Sequence, residues 1–217
     1  MDTPKGNVLA TVVAVAIFAA AGVYLIGASH DFSKDRIAAN QRARLTASLN
    51  SVLDPSLRSH DLQTVQLAIA DRALLGSAEP VDVFVVFDAG QPVAVIFATV
   101  APDGYNAPID LLIGVSSSAT LTGVRPVSHR ETAGLGDRME PAKSNWILRF
   151  DGASLDQPPR ERWAVDKDEG DFDSLSGATI TSRAVVKAVK NTLLYFEQHR
   201  DELFRDAAAR AADANPN

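Results

Sequence analysis

The 217-residue chain contains no cysteine, and that absence removes several chemistries at once. Disulfides, thiolate nucleophiles, zinc–thiolate sites and cysteine-bound iron–sulfur clusters all need a sulfur atom that is not there. Any redox chemistry must rest on an imported organic cofactor or on a metal held without sulfur. Basic residues are also in deficit. Twenty-one Lys and Arg face 27 Asp and Glu, which gives a formal net charge of −6 and a pI near 5.2. This balance argues against a nucleic-acid surface, which needs clustered positive charge. Four histidines occur, but no GxSxG motif accompanies them, so a serine hydrolase has no support. The GLG at 134–136 lacks the GxGxxG spacing and the βα context of a dinucleotide site.

Charge is missing altogether from Val8 to Ile26 (VLATVVAVAIFAAAGVYLI). Nineteen residues at a helical rise of 1.5 Å span about 28 Å, close to the hydrocarbon thickness of a bilayer. A signal peptide would have a shorter apolar core and a small-x-small cleavage site, and IGASH is a poor one. The expectation is an uncleaved transmembrane anchor over residues 8–27, after a short segment 1–7. Lys5 precedes the anchor, whereas Lys34, Arg36, Arg42 and Arg44 follow it. The positive-inside rule alone would keep the large part in the cytoplasm, but long domains cross regardless of charge, so the side stays open.

Residues 28–80 read as a helical and mixed connecting region. SKDRIAANQRARLTASLNSVL (33–53) places Ile37, Ala38, Leu45, Leu49 and Leu53 at helical intervals, with Ser33 as N-cap. A short strand is expected near Val65 to Ala68. Strand signals strengthen from residue 81. VDVFVVFDAGQPVAVIFATVA (81–101) has two β-branched and aromatic runs around DAGQP, a hairpin signature. IDLLIGVSSSATLTGVRPVS (109–128) repeats it around SSSA, and NWILRF (145–150) reads as a further strand. A helix is expected from Ser182 to Phe204, with Val185, Val186, Val189, Leu193 and Phe196 on its apolar side, and 207–217 as a polar tail. The fold class is α+β: a domain over 81–206 with a largely antiparallel sheet and flanking helices.

Two loops stand out. SHRETAGLGDRMEPAKSNW (128–146) offers His129, Glu131, Asp137 and Glu140 as nitrogen and oxygen ligands. Their spacing matches no metal motif, and a polar turn explains them as well. DSLSGATITS (173–182) sets hydroxyls, a glycine and an alanine before a helix. A helix N-terminus offers unpaired N–H groups and partial positive charge, which suit a phosphate. The plainer account is that Thr181 or Ser182 caps the helix. SSSATLTG (116–123) nearly repeats the segment between strands, so context rather than composition sets Thr179 apart.

With these residues the chain resembles the FMN-binding domain family of the Rnf and Na⁺-pumping NADH:quinone reductase complexes. DSLSGAT resembles the family's Asp and Ser/Thr-Gly-Ala-Thr pattern, and HRETAGLGD resembles its H-x-E-T-x-G-L-G-D segment, with Ala133 where many relatives have proline. Gly104 and Tyr105, before the IDLLIGV strand, also match. The resemblance implies that a flavin transferase esterifies the FMN phosphate to Thr179, with Asp173 to Ala178 as the recognition sequence. Ser176, Gly177 and Ala178 therefore count as cofactor-binding, together with Glu131, Thr132, Leu135, Gly136 and Tyr105. It further implies a periplasmic domain on a single-pass inner-membrane anchor in the lipid bilayer. Its partners would be the other Rnf subunits of an ion-translocating ferredoxin:NAD⁺ oxidoreductase. No metal and no nucleic acid are expected, and the protein would relay electrons without a substrate of its own. Length favours the G subunit of the Rnf complex. The C subunit of the quinone reductase and a membrane-anchored assembly module without redox activity are the alternatives.

Overall fold

A computed structural model describes residues 11–19 and 46–214. It divides at residue 47 into two units, of which the second, 48–217, holds the folded domain. Residues 11–19 are helical, with Val12, Val13, Val15, Ile17 and Phe18 exposed. Among the described residues no helix is long and apolar enough to cross a membrane. The rest of the expected anchor, and Ser33, Ile37, Ala38 and Leu45 of the expected amphipathic helix, lie outside the described residues.

Five strands form one antiparallel meander in the order β1-β2-β3-β4-β5. They are β1 (Gln63–Asp71), β2 (Ser77–Asp88), β3 (Gln91–Ala101), β4 (Ile109–Ser116) and β5 (Leu121–Ser128). Both expected hairpins are present. Ala89 and Gly90, both at positive φ, turn β2 into β3, and Ala119 at φ 63° serves the SSSA turn. The first strand is longer than the Val65 to Ala68 expected. It begins the sheet well before residue 81, pairing Val65 with Val85 and Leu67 with Val83. Only Leu67 of β1 is buried, as suits a polar edge strand.

The apolar runs of the central strands lack alternation because both faces of the sheet are covered. Val83, Val85, Val95, Phe97, Leu111 and Ile113 point to one face, where Val185, Val189, Leu193 and Phe196 of the terminal helix complete the main core. Phe84, Val86, Ala94, Ile96 and Leu112 point to the other, where Leu49, Val52 and Leu53 cover them. The latter segment lies against two glycines. A Cβ on Gly123 would sit 2.9 Å from Val52 Cα, and one on Gly114 would collide with the Val52 carbonyl. Thr122 Oγ1 donates to that carbonyl at 2.5 Å.

Two elements differ from expectation. Trp146–Phe150 is a 3-10 helix, not a strand. Trp146, Ile147 and Phe150 are buried while Arg149 is exposed, a helical spacing that a two-residue period cannot give. The terminal helix spans Thr179–Ala214, three residues earlier than expected and ten later. Leu203 and Ala207 belong to the main core, so packing carries the helix into the stretch that reads as a polar tail.

Candidate functional site

The segment DSLSGAT is fastened residue by residue. Phe172 stacks on Phe150 and lies tilted against Trp163, with ring centroids 4.9 and 4.7 Å away. The Trp146 indole donates to the Asp173 carbonyl at 2.6 Å, and the Asp173 carboxylate pairs with Arg149. Asp166 accepts the Ser174 N–H at 2.9 Å and the Ser174 hydroxyl. These bonds, the hydroxyl first, hold the Asp166 carboxyl below its usual pKa. Leu175 is buried; its N–H donates to Ser182 Oγ at 2.9 Å and its carbonyl accepts the Ala178 N–H at 2.9 Å. Gly177 makes the turn at φ 78°, and a Cβ there would lie 3.0 Å from Leu135. The helix begins at Thr179, and its first backbone bond runs from Ser182 N–H to the Ala178 carbonyl at 3.0 Å. The N–H groups of Thr179, Ile180 and Thr181 thus precede the intrahelical ladder.

Neither Thr181 nor Ser182 is the N-cap. Both are buried inside the first turn and a half. Ser182 bridges Leu175 and Ala178, whereas the Thr181 hydroxyl donates to Glu131 Oε2. That bond joins the helix start to the second loop. The loop turns through Thr132 to Leu135, whose N–H donates to the Thr132 carbonyl at 3.2 Å, with Gly134 at φ 78°. Asn106 ties it to the β3–β4 connection. The Asn106 N–H donates to Glu131 Oε1 at 3.1 Å, and its side-chain amide reaches the Arg130 carbonyl and Thr132 Oγ1. Gly136 has no room for a side chain: a Cβ would lie 2.9 Å from both Glu131 Oε2 and Thr181 Oγ1.

Between the loops lies a cavity of about 490 Å³. Glu131, Thr132, Leu135 and Gly136 line it from one side, Gly177, Ala178 and Thr179 from the other, and Tyr105 from a third. Eight of the nine residues singled out in the sequence therefore meet at one place. Ser176 does not; it is exposed and outside the lining. Ile180 and Thr181 line the cavity and were not foreseen. Placing the helix start at 182 hid them, and a start at Thr179 would have put both in its first turn. Tyr105 is 62% exposed, so it is not a core tyrosine. With Leu135 and Ile180 it gives the cavity an apolar, solvent-facing rim.

His129, Glu131, Asp137 and Glu140 divide between two places. Lys143 Nζ sits 2.8 Å from Asp137 and 2.7 Å from Glu140, and Glu140 also meets His129 Nε2 at 3.1 Å. The ammonium beside them holds both carboxyls below their usual pKa, and they in turn raise that of Lys143. Glu131 is turned away into the cavity. Among the described residues no cluster suits a metal ion.

The cavity and both loops fall inside a match to the FMN-binding domain, over residues 104–194. Whole-chain relatives agree. The G subunit of the ion-translocating oxidoreductase complex of Shewanella amazonensis is 40% identical over 189 residues, 87% of this chain and 86% of the relative. The G subunit from Pseudomonas aeruginosa is 43% identical over 200 residues, 92% and 93% of the two chains. That of Vibrio atlanticus is 38% identical over 189 residues, 87% and 90%.

The chain belongs to the G-subunit family of ion-translocating oxidoreductase complexes.

As a member of this Rnf-type family it is an electron-relay protein, a redox component of a translocase rather than an enzyme complete in itself. The quinone-reductase alternative, its C subunit, gives way to relatives that are G subunits across nearly the whole chain. The non-redox module gives way to the FMN-binding domain. The cavity fits that cofactor in kind: N–H groups at a helix start for a phosphate, hydroxyls within reach, and an apolar rim for a flat ring.

Proposed function

We propose that FMN is carried as a phosphate ester on Thr179 and relays single electrons within the complex. One observation supports this above the others. Thr179 is the first residue of a 36-residue helix, half-buried, and lines the cavity built from the two loops. The helix N-terminus favours the negative charge of the phosphodiester, and the Gly177 turn opens the approach to the hydroxyl. Bound FMN supplies the one-electron chemistry; the chain's residues hold its phosphate, flank its ring and limit solvent. A covalent tether keeps the cofactor on an exposed relay without reliance on reversible affinity. Glu131, Thr132, Leu135, Gly136 and Tyr105 are the flavin contacts in this reading, with Ile180 and Thr181 joining them.

The same reading gives the chain a flavin transferase as its modifying partner and the other Rnf subunits as its neighbours. The uncharged run 8–27 would be a single-pass anchor in the inner membrane, with the domain in the periplasm. The exposed apolar side chains of residues 11–19 support a lipid environment for that unit. Intact mass of the purified chain tests the ester. One FMN joined with net loss of water adds about 438 Da, and a mass equal to the bare polypeptide would refute it.

A further inference from the structure

We propose that Glu131 is the group through which this protein sets the reduction potential of its flavin, an inference that rests on FMN occupying the cavity. Glu131 is 8% exposed, yet its carboxylate lines the cavity and, among the described residues, has no cationic partner. The neighbouring Asp137 and Glu140 are both paired with Lys143. Each Glu131 oxygen takes one donor, Asn106 N–H on Oε1 and the Thr181 hydroxyl on Oε2. A carboxylate has about four acceptor positions, so it keeps lone pairs for a donor within the cavity.

Three elements hold the group. Asn106 comes from the β3–β4 connection, Thr181 from the helix start, and Gly136 leaves only backbone against Glu131 Cβ and Oε2 at 2.9 Å from a virtual Cβ. A side chain needed merely to join these segments could be neutral. A carboxylate adds a fixed negative charge in a partly desolvated place, where it is felt more strongly than in water. An electron arriving there from another carrier of the complex adds negative charge beside it. The carboxylate opposes that addition unless a proton accompanies the electron. The potential is thereby held lower than the cavity alone would set it.

Glu131→Gln tests this in the full-length, flavin-loaded protein, since the amide can keep a partner for both Asn106 and Thr181. Three quantities are read on each sample: intact mass for loading, thermal unfolding for the fold, and midpoint potential by spectroelectrochemistry. The expected result is unchanged loading, near-unchanged unfolding and a midpoint shifted upward. Glu140→Gln, which removes a carboxylate outside the cavity lining, should shift it less. Equal potentials for wild type and Glu131→Gln would overturn the proposal. So would an equal shift from Glu140→Gln, or a folded Glu131→Gln protein without flavin. A wild-type chain lacking the added mass would instead sink the ester on Thr179. The potentials would then be compared with FMN bound from solution, under the same criteria.

Discussion

At the scale of single residues, the cavity separates side chains whose hydroxyls hold the fold from one whose hydroxyl does not. Thr179 is half-buried at the cavity, and no fold-defining hydrogen bond of its hydroxyl stands beside those of Thr181 and Ser182. Thr179→Ala should therefore yield a folded protein whose mass lacks the added ~438 Da and whose gel band has no flavin fluorescence. A band that stays fluorescent after denaturation would move the ester to another hydroxyl. Thr181 is different in kind. Its buried hydroxyl serves Glu131, a role that no local pattern reveals, because the partner lies 50 residues away. By contrast, Glu131, Thr132, Leu135 and Gly136 were legible because they stand in one contiguous motif. Lys143 carries the second residue-scale prediction. Its partners Asp137 and Glu140 have lowered folded-state pKa values, so their contribution is full above the usual carboxylate range, near pH ~4, and fades as pH falls through the lowered values. The raised pKa of Lys143 makes its share persist below its usual value and fade as pH rises through the raised one. Urea titrations of Lys143→Met and wild type should thus differ most between those limits and converge at both extremes. A pH-independent difference would show that packing, not charge, holds this loop.

At the scale of elements, the sheet was readable where turn chemistry marked it and obscure where burial did. Both hairpins follow from DAGQP and SSSA. The edge strand β1 was underestimated because its alternation is confined to Val65, Leu67 and Ile69, and its polar ends carry no hydrophobic signal. NWILRF misled in the opposite way: its composition favours a strand, but its burial follows a helical spacing set by the aromatic cluster around Phe150. The terminal helix was cut short at both ends: Thr179 directly follows the Gly177 turn, and the alanine-rich end was read as a polar tail although alanine favours helix and Ala207 packs in the core. Contact between the 49–53 segment and the outer sheet face was not legible at all. It depends on two glycines, Gly114 and Gly123, meeting the backbone of Val52. Gly123→Ala places a methyl group 2.9 Å from Val52 Cα and must push that segment away. The expected cost is about 1–3 kcal/mol, read as a lower urea midpoint with faster proteolysis near residues 46–53. An unchanged midpoint would mean that the segment rests on the sheet without being held by it.

At the scale of the molecule, the 11–19 unit carries exposed apolar side chains, and the domain carries the cavity between the two loops. If 8–27 anchors the chain and the domain lies in the periplasm, protease added to intact spheroplasts should digest the domain. Digestion only after lysis would reverse that topology. Within the domain, the terminal helix has a consequence for how the relay can be wired. It starts at the cavity and runs 36 residues to Ala214, about 54 Å at a helical rise of 1.5 Å. If FMN sits in the cavity as proposed, an electrode tethered at Ala214 would touch the end of the helix remote from it and should record little current by direct contact. The same protein adsorbed through the rim of Tyr105, Leu135 and Ile180 would bring the cofactor to the conductor. The direction in which the molecule is mounted should then decide whether its redox wave is seen.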